Sequence, residues 1–91
     1  MITAIVLLSV EADRIPEVAT AIADLEGVSE VYSVSGDVDL IAVVRVREFD
    51  QIADTVAGRL SKVAGVLHTE THIAFRAYSR LDLDATFDIG W

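Results

Sequence analysis

A chain of 91 residues is the length of one domain. Its 15 acidic residues outnumber 7 basic ones, for a net charge of −8. The basic residues are scattered, which argues against the clustered positive surface that duplex nucleic acid requires. With no cysteine there is no disulfide framework, no thiolate metal site and no thiol nucleophile.

The composition is 53% hydrophobic, high for a domain whose small size gives it a poor ratio of core to surface. Part of that apolar sequence is therefore expected to be buried against another chain. No apolar run is long enough for a membrane span. The apolar start, Ile2 to Val10, has no basic residue before it and Glu11 just after it, unlike a signal peptide. A soluble, cytoplasmic protein without membrane contact is expected.

Residues Ile2 to Val10 are β-branched and almost wholly apolar, the pattern of a strand buried on both faces and central in its sheet. Asp13 then offers a helix N-cap, with Pro16 and Glu17 suited to the first turn. Ile15, Val18, Ala19, Ile22 and Leu25 form one apolar stripe at helical spacing, and Gly27 stands where a C′ glycine ends the helix. A second strand follows over Gly27 to Ser33. Ser35-Gly36-Asp37 is a tight-turn signal, and Leu40 to Val46 reads as a third, stronger strand.

A second helix is expected from about Asp50 to Val63, with the stripe Ile52, Ala53, Val56, Leu60 and Val63. Gly58 within it suggests a close helix-on-sheet contact, and Gly65 stops it. The fourth strand is expected from Val66 to about Tyr78. Thr69, Thr71, Ile73 and Phe75 share one parity; His68, Glu70, His72 and Arg76 share the other. From Leu81 to Trp91 apolar and polar residues alternate strictly, the signature of a half-buried fifth strand ending in Phe87, Ile89 and Trp91.

A faint repeat of 38 residues sets Ile5-Val6 on Val43-Val44, Val18 on Val56, Ile22 on Leu60 and Gly27-Val28 on Gly65-Val66. The chain is thus β-α-β twice. The order βαββαβ is the ferredoxin-like α+β plan, an antiparallel sheet with both helices on one face. A single domain over 1–91 is expected, with its core in 2–78 and an interface segment in 79–91. Apolar residues of both parities in the first and third strands imply that the other sheet face is also covered, most economically by a partner sheet.

His68, Glu70 and His72 invite a metal hypothesis, but same-face neighbours are spaced about 6.5–7 Å along a strand, too far apart for one ion without unusual reach. None of the serines lies in a G-x-S-x-G elbow, and the lone Gly36 makes neither a P-loop nor a dinucleotide fingerprint. No catalytic residue, metal ligand or cofactor is assigned. The turn itself is either plain architecture or a ligand cradle, with glycine exposing backbone N–H groups beside the carboxylates of Asp37 and Asp39.

Gly27-Val28 before a strand, Tyr32-Ser33-Val34-Ser35-Gly36-Asp37-Val38-Asp39 at the hairpin, and Gly65-Val66 leading to Thr69-Glu70-Thr71 resemble the effector-binding RAM domain of the Lrp/AsnC transcription regulators. The resemblance covers about residues 2–78. The regulators carry an N-terminal helix-turn-helix domain, whereas here Met1 leads directly into the first strand, so the chain looks like a stand-alone RAM domain. The resemblance implies a dimeric α/β barrel formed through the sheets, with dimers associating into a ring of four dimers, an octamer. It further implies amino-acid effectors held between dimers, with Gly36, Asp37 and Asp39 bordering the effector site and Thr69 and Thr71 near it. A non-enzymatic, amino-acid-responsive assembly is expected, able to mix with full-length Lrp/AsnC regulators and not to bind nucleic acid itself. The alternatives are a small dimeric α/β-barrel enzyme of monooxygenase type and a ligand-free assembly module.

Overall fold

In the computed structural model, residues 1–80 are described; the expected fifth strand, with the rest of the 81–91 segment, lies outside them. The elements run β1 (Ile2–Val10), α1 (Ile15–Ala23), β2 (Val28–Ser33), β3 (Leu40–Val46), α2 (Phe49–Val56) and β4 (Val66–Ala74). All strand pairs are antiparallel, and the sheet order is β2-β3-β1-β4. The two most apolar strands are the two central ones, and the two helices lie on one face. This is the expected ferredoxin-like α+β architecture.

The core forms between that face and the helices. Even-numbered positions of the central strands point into it: Ala4, Val6, Leu8, Leu40, Ala42 and Val44 are fully buried. Val18 and Ile22 meet them from α1, Ile52 from α2, and Leu60 from a short 3-10 turn, Leu60–Lys62. Burying each large aliphatic side chain contributes about 1.5–3 kcal/mol.

Several boundaries differ from the sequence expectation. Asp13 does not cap α1. It lies inside a 3-10 turn, Ala12–Arg14, whose Arg14 N–H bonds to the Glu11 carbonyl (2.9 Å), and α1 begins after it with Pro16 in its first turn. Pro16 has no N–H to leave unsatisfied there. The second helix starts one residue early because Glu48 and Gln51 form a reciprocal capping box: the Gln51 Oε1 accepts the Glu48 N–H at 2.8 Å. It also stops early, at Val56, and the 3-10 turn keeps Leu60 in the core. Gly58 is therefore outside the helix, and what a side chain there would strike is the Asp54 carbonyl of its own helix rather than the sheet. On α2 it is Thr55, not Ala53, that is buried. β4 ends at Ala74, and Phe75 beyond it is 99% exposed.

The 38-residue repeat is visible in the joints. Gly27 and Gly65 follow the two helical units with φ of 95° and 102°, and each lies against the other unit's helix, Gly27 on Thr55 and Gly65 on Val18. Only glycine occupies that conformation without steric cost.

Candidate functional site

Residues Val34 to Asp39 link β2 to β3 at one end of the sheet. The Asp39 carbonyl accepts the Val34 N–H (3.1 Å), closing the loop. At its tip Gly36 has φ +113°, and a Cβ there would meet nothing within 4 Å. The turn is left-handed and open to its surroundings, as the Ser-Gly-Asp signal predicts. Ser35, Gly36 and Asp37 are exposed, and Asp39 is half-buried.

Asp39 has a structural role that the sequence did not reveal. Its Oδ2 accepts the Val10 N–H at 2.9 Å, and its own N–H donates to the Leu8 carbonyl at 2.9 Å. Val10 sits where the β1–β4 register shifts after Ser9. The irregularity leaves a donor free at the end of the strand, and the carboxylate satisfies it. The turn is thus fastened to β1 through both the backbone and the side chain of Asp39.

Thr69 and Thr71 lie on β4, two strands from the hairpin. Leu8 pairs with Leu40 on one side and Thr69 on the other, so Thr69 stands level with the start of β3, roughly 10 Å away. Thr71 pairs with Val6, about 7 Å further from the turn. Both threonines are on the helix-facing side of the sheet. Gly36, Asp37 and Asp39 are therefore together in one loop, Thr69 is at the same end of the sheet, and Thr71 is the most distant.

The opposite face carries a second candidate feature. Leu7 pairs with Ile41, Ile5 with Val43, and Tyr32 with Ile41, so these five side chains form one apolar patch. Ile5 is 37% and Tyr32 50% exposed. On the β4 side the patch is bordered by His68, Glu70 and His72, with His72 Nε2 2.7 Å from Glu70 Oε2. Among the described residues no group of three or more His, Asp or Glu is placed to hold a metal. On the β2–β3 side the border is a polar cluster: Tyr32 Oη donates to Glu30 Oε2 (2.6 Å), and Arg45 Nη1 donates to Ser29 Oγ (2.7 Å) and lies 3.4 Å from Glu30 Oε1. The Tyr32 hydroxyl, with help from Arg45, holds the Glu30 carboxyl below its ordinary value; that same bond pushes the Tyr32 phenol up. The i, i+2 spacing of Glu30 and Tyr32 was a legible sign that they share a face; their pairing with Arg45 needed the β2–β3 register.

Residues 3–82 match the family model of the Lrp/AsnC ligand binding domain. An uncharacterized HTH-type transcriptional regulator of Pyrococcus furiosus is 34% identical over 76 residues, which cover 80% of this chain and 51% of that protein. The chain spans 39% and 51% of the length of the curated relatives it matches. Among solved structures, TTHA0845 from Thermus thermophilus has 45% sequence identity and a TM-score of 0.82, covering 88% of this chain and 100% of that chain. The feast or famine regulatory protein of M. tuberculosis complexed with L-methionine has 25% identity and a TM-score of 0.68, covering 88% of this chain and 54% of that one. No described helix is long and apolar enough to cross a membrane. With most of its length matched and its sheet order that of the ferredoxin-like plan, the chain belongs to the Lrp/AsnC ligand-binding domain family.

Proposed function

We propose that this domain is a non-enzymatic amino-acid sensor that works as an assembly of copies of itself. The observation that carries the reading is the hairpin turn, exposed at Gly36 yet pinned to β1 through Asp39. Backbone N–H groups at a left-handed glycine suit an α-carboxylate. The carboxylates of Asp37 and Asp39 suit an α-ammonium, and Thr69, with Thr71 further off, supplies hydroxyls on β4 beyond the intervening β1. A family relative complexed with L-methionine supports an amino acid as the ligand class.

Assembly is supported by the patch Ile5, Leu7, Tyr32, Ile41 and Val43, which no element among the described residues covers. A second copy of the same sheet makes a dimer, and contacts at the hairpin ends extend dimers into a ring or into mixed assemblies with full-length regulators. A ligand held between copies stabilises the assembled state by its differential affinity for it. Enzymatic turnover is disfavoured because the layer between sheet and helices is filled: the facing positions from Ala4 to Val44 in the central strands are fully buried. The acidic balance leaves the domain itself no electrostatic basis for gripping duplex DNA.

The test is a thermal-shift screen of the common L-amino acids combined with light scattering. At least one amino acid should raise the melting temperature, and the scattering mass should be a multiple of the chain's 9.8 kDa. An assembly that no amino acid stabilises would leave the ligand-free assembly module as the function, a reading the apolar patch favours on its own. A monomer would end both readings.

A further inference from the structure

At the far end of the sheet from the hairpin lies a cleft of about 270 Å³, between the Glu26-Gly27 turn, the end of β3 and the flank of α2. Arg47, Arg59, Glu26, Asp54 and Thr55 line it, with Gly27 at its wall. We propose that this cleft is a second small-molecule site, for a polar ligand carrying both a carboxylate and a cationic group, such as a zwitterionic amino acid.

Three observations converge. First, Thr55 is only 2% exposed, yet its hydroxyl makes no hydrogen bond among the described residues. The hydroxyl is not sealed from solvent; it lines the cleft, where it is open to a ligand or to water. The left-handed Gly27 brings the backbone against it: a Cβ there would lie 2.7 Å from Thr55 Oγ1. Second, neither Arg47 nor Arg59 is ion-paired, and neither is Glu26 or Asp54; the ion pairs among the described residues are elsewhere. The one side-chain bond of Arg59 is a long 3.4 Å contact to the Glu26 carbonyl. Two guanidinium groups and two carboxylates thus line one cleft without an ion pair between them. Such a lining is matched in charge by a ligand of both signs and mismatched by a simple anion. Third, the helix N-terminus nearby offers no competing anion site, because Gln51 Oε1 already accepts the Arg47 and Glu48 N–H groups. The cleft shares no residue with the hairpin loop, so it stands whether or not the hairpin binds an effector.

Site-resolved NMR tests the proposal. The common L-amino acids and inorganic phosphate are titrated singly into the uniformly nitrogen-15-labelled protein, following the backbone amides of Gly27, Thr55 and Gly36. At least one polar amino acid should shift Gly27 and Thr55 saturably. Thr55→Val, which replaces the hydroxyl by a methyl of equal size, should weaken that response about tenfold or more while leaving the unligated protein at least as stable. Arg47→Gln, at an exposed position, should weaken it similarly, and Gly36→Val should not alter it. The proposal is overturned if phosphate alone shifts these amides, if no amino acid does, if the response survives the Thr55→Val, Arg47→Gln double variant, or if it is lost in Gly36→Val.

Discussion

The two faces of the sheet are built from similarly apolar residues and end in different environments. In β1, Ala4, Val6 and Leu8 are fully buried, whereas the interleaved Ile5 is 37% exposed. In β3, Leu40, Ala42 and Val44 are sealed while Ile41 and Val43 are only half-buried. Side-chain alternation alone does not cause this, because both parities are hydrophobic. The difference is that α1 and α2 lie over one face and no described element lies over the other. Hydrophobicity along a strand therefore reports that two faces need cover, while the helices decide which of them the chain covers for itself.

Substitutions at neighbouring positions break this comparison most sharply. Leu8→Ala should cost about 2–5 kcal/mol of folding stability, the range for a cavity in a packed core. Leu7→Ala, one residue away on the open face, should cost less than about 1.5 kcal/mol, in line with its partial exposure. Urea unfolding of the two variants under one protein concentration measures both; equal costs would mean that the faces are equivalently packed.

The converse experiment places a charge on the open face. Val43→Glu should leave the helix-side core intact, with a native far-UV spectrum, but reduce the mass seen by light scattering, because a carboxylate in an apolar interface has no counter-charge. Unchanged mass would remove the Ile5–Val43 patch from the assembly.

Smaller effects separate the tip of the hairpin from its anchor. Gly36→Val should cost about 1–2 kcal/mol, since a β-branched residue is strained at positive φ even with open space around it. Asp39→Ala should cost about 1–2 kcal/mol by stripping the Val10 N–H of its acceptor, whereas Asp39→Asn keeps a carbonyl oxygen there and should cost less. For the same reason Asp39→Asn is the clean probe of charge: calorimetry with an amino acid that stabilises the protein should show about tenfold weaker binding if Asp39 meets the ammonium. Equal affinity would leave Asp39 as the anchor of the turn only.

The smallest effect is the pH dependence of the polar border. The Glu30 carboxyl is held below its ordinary 4.5 by the Tyr32 hydroxyl. A lowered folded-state value means that this bond contributes stability above pH about 4.5 and that the contribution disappears as pH falls through the lowered value. The Tyr32 phenol, raised above 10.0 by Glu30, gives the opposite sense at the alkaline end: its contribution is complete below pH 10 and is lost as pH rises through the raised value. Tyr32→Phe should flatten the dependence at both ends. Because these groups are open to solvent, the change is a small shift of the urea midpoint, and identical pH profiles for variant and parent would dissolve the link.

Much of this architecture was legible in the residues. The period-2 and period-3.6 patterns placed all four described strands and both helices, and the repeated Gly-Val pairs marked the two left-handed joints at Gly27 and Gly65. The Ser-Gly-Asp turn announced a positive φ at Gly36. What failed were decisions made by competition between neighbours. Asp13 has the chemistry of a cap, but the chain tightens into a 3-10 turn before α1 begins, so the residue that precedes the helix is Arg14. Thr55 is not one of the apolar residues of the expected stripe, yet it is buried, with Gly27 lying against it.

By itself the sequence determined the order of elements, the central place of β1 and β3, and a demand for burial on both faces of the sheet. Those follow from local sterics and from hydrophobic periodicity, which act over a few residues. Only the tertiary structure decided that Asp39 fastens the hairpin to Val10, that Glu30, Tyr32 and Arg45 form one cluster, and that Arg47, Arg59, Glu26, Asp54 and Thr55 line one cleft. These meetings join residues up to 33 positions apart, and they depend on strand register, a bulge and a helix end. A shift of one residue in a register would reverse the face of every side chain involved, so local pattern alone could not specify them.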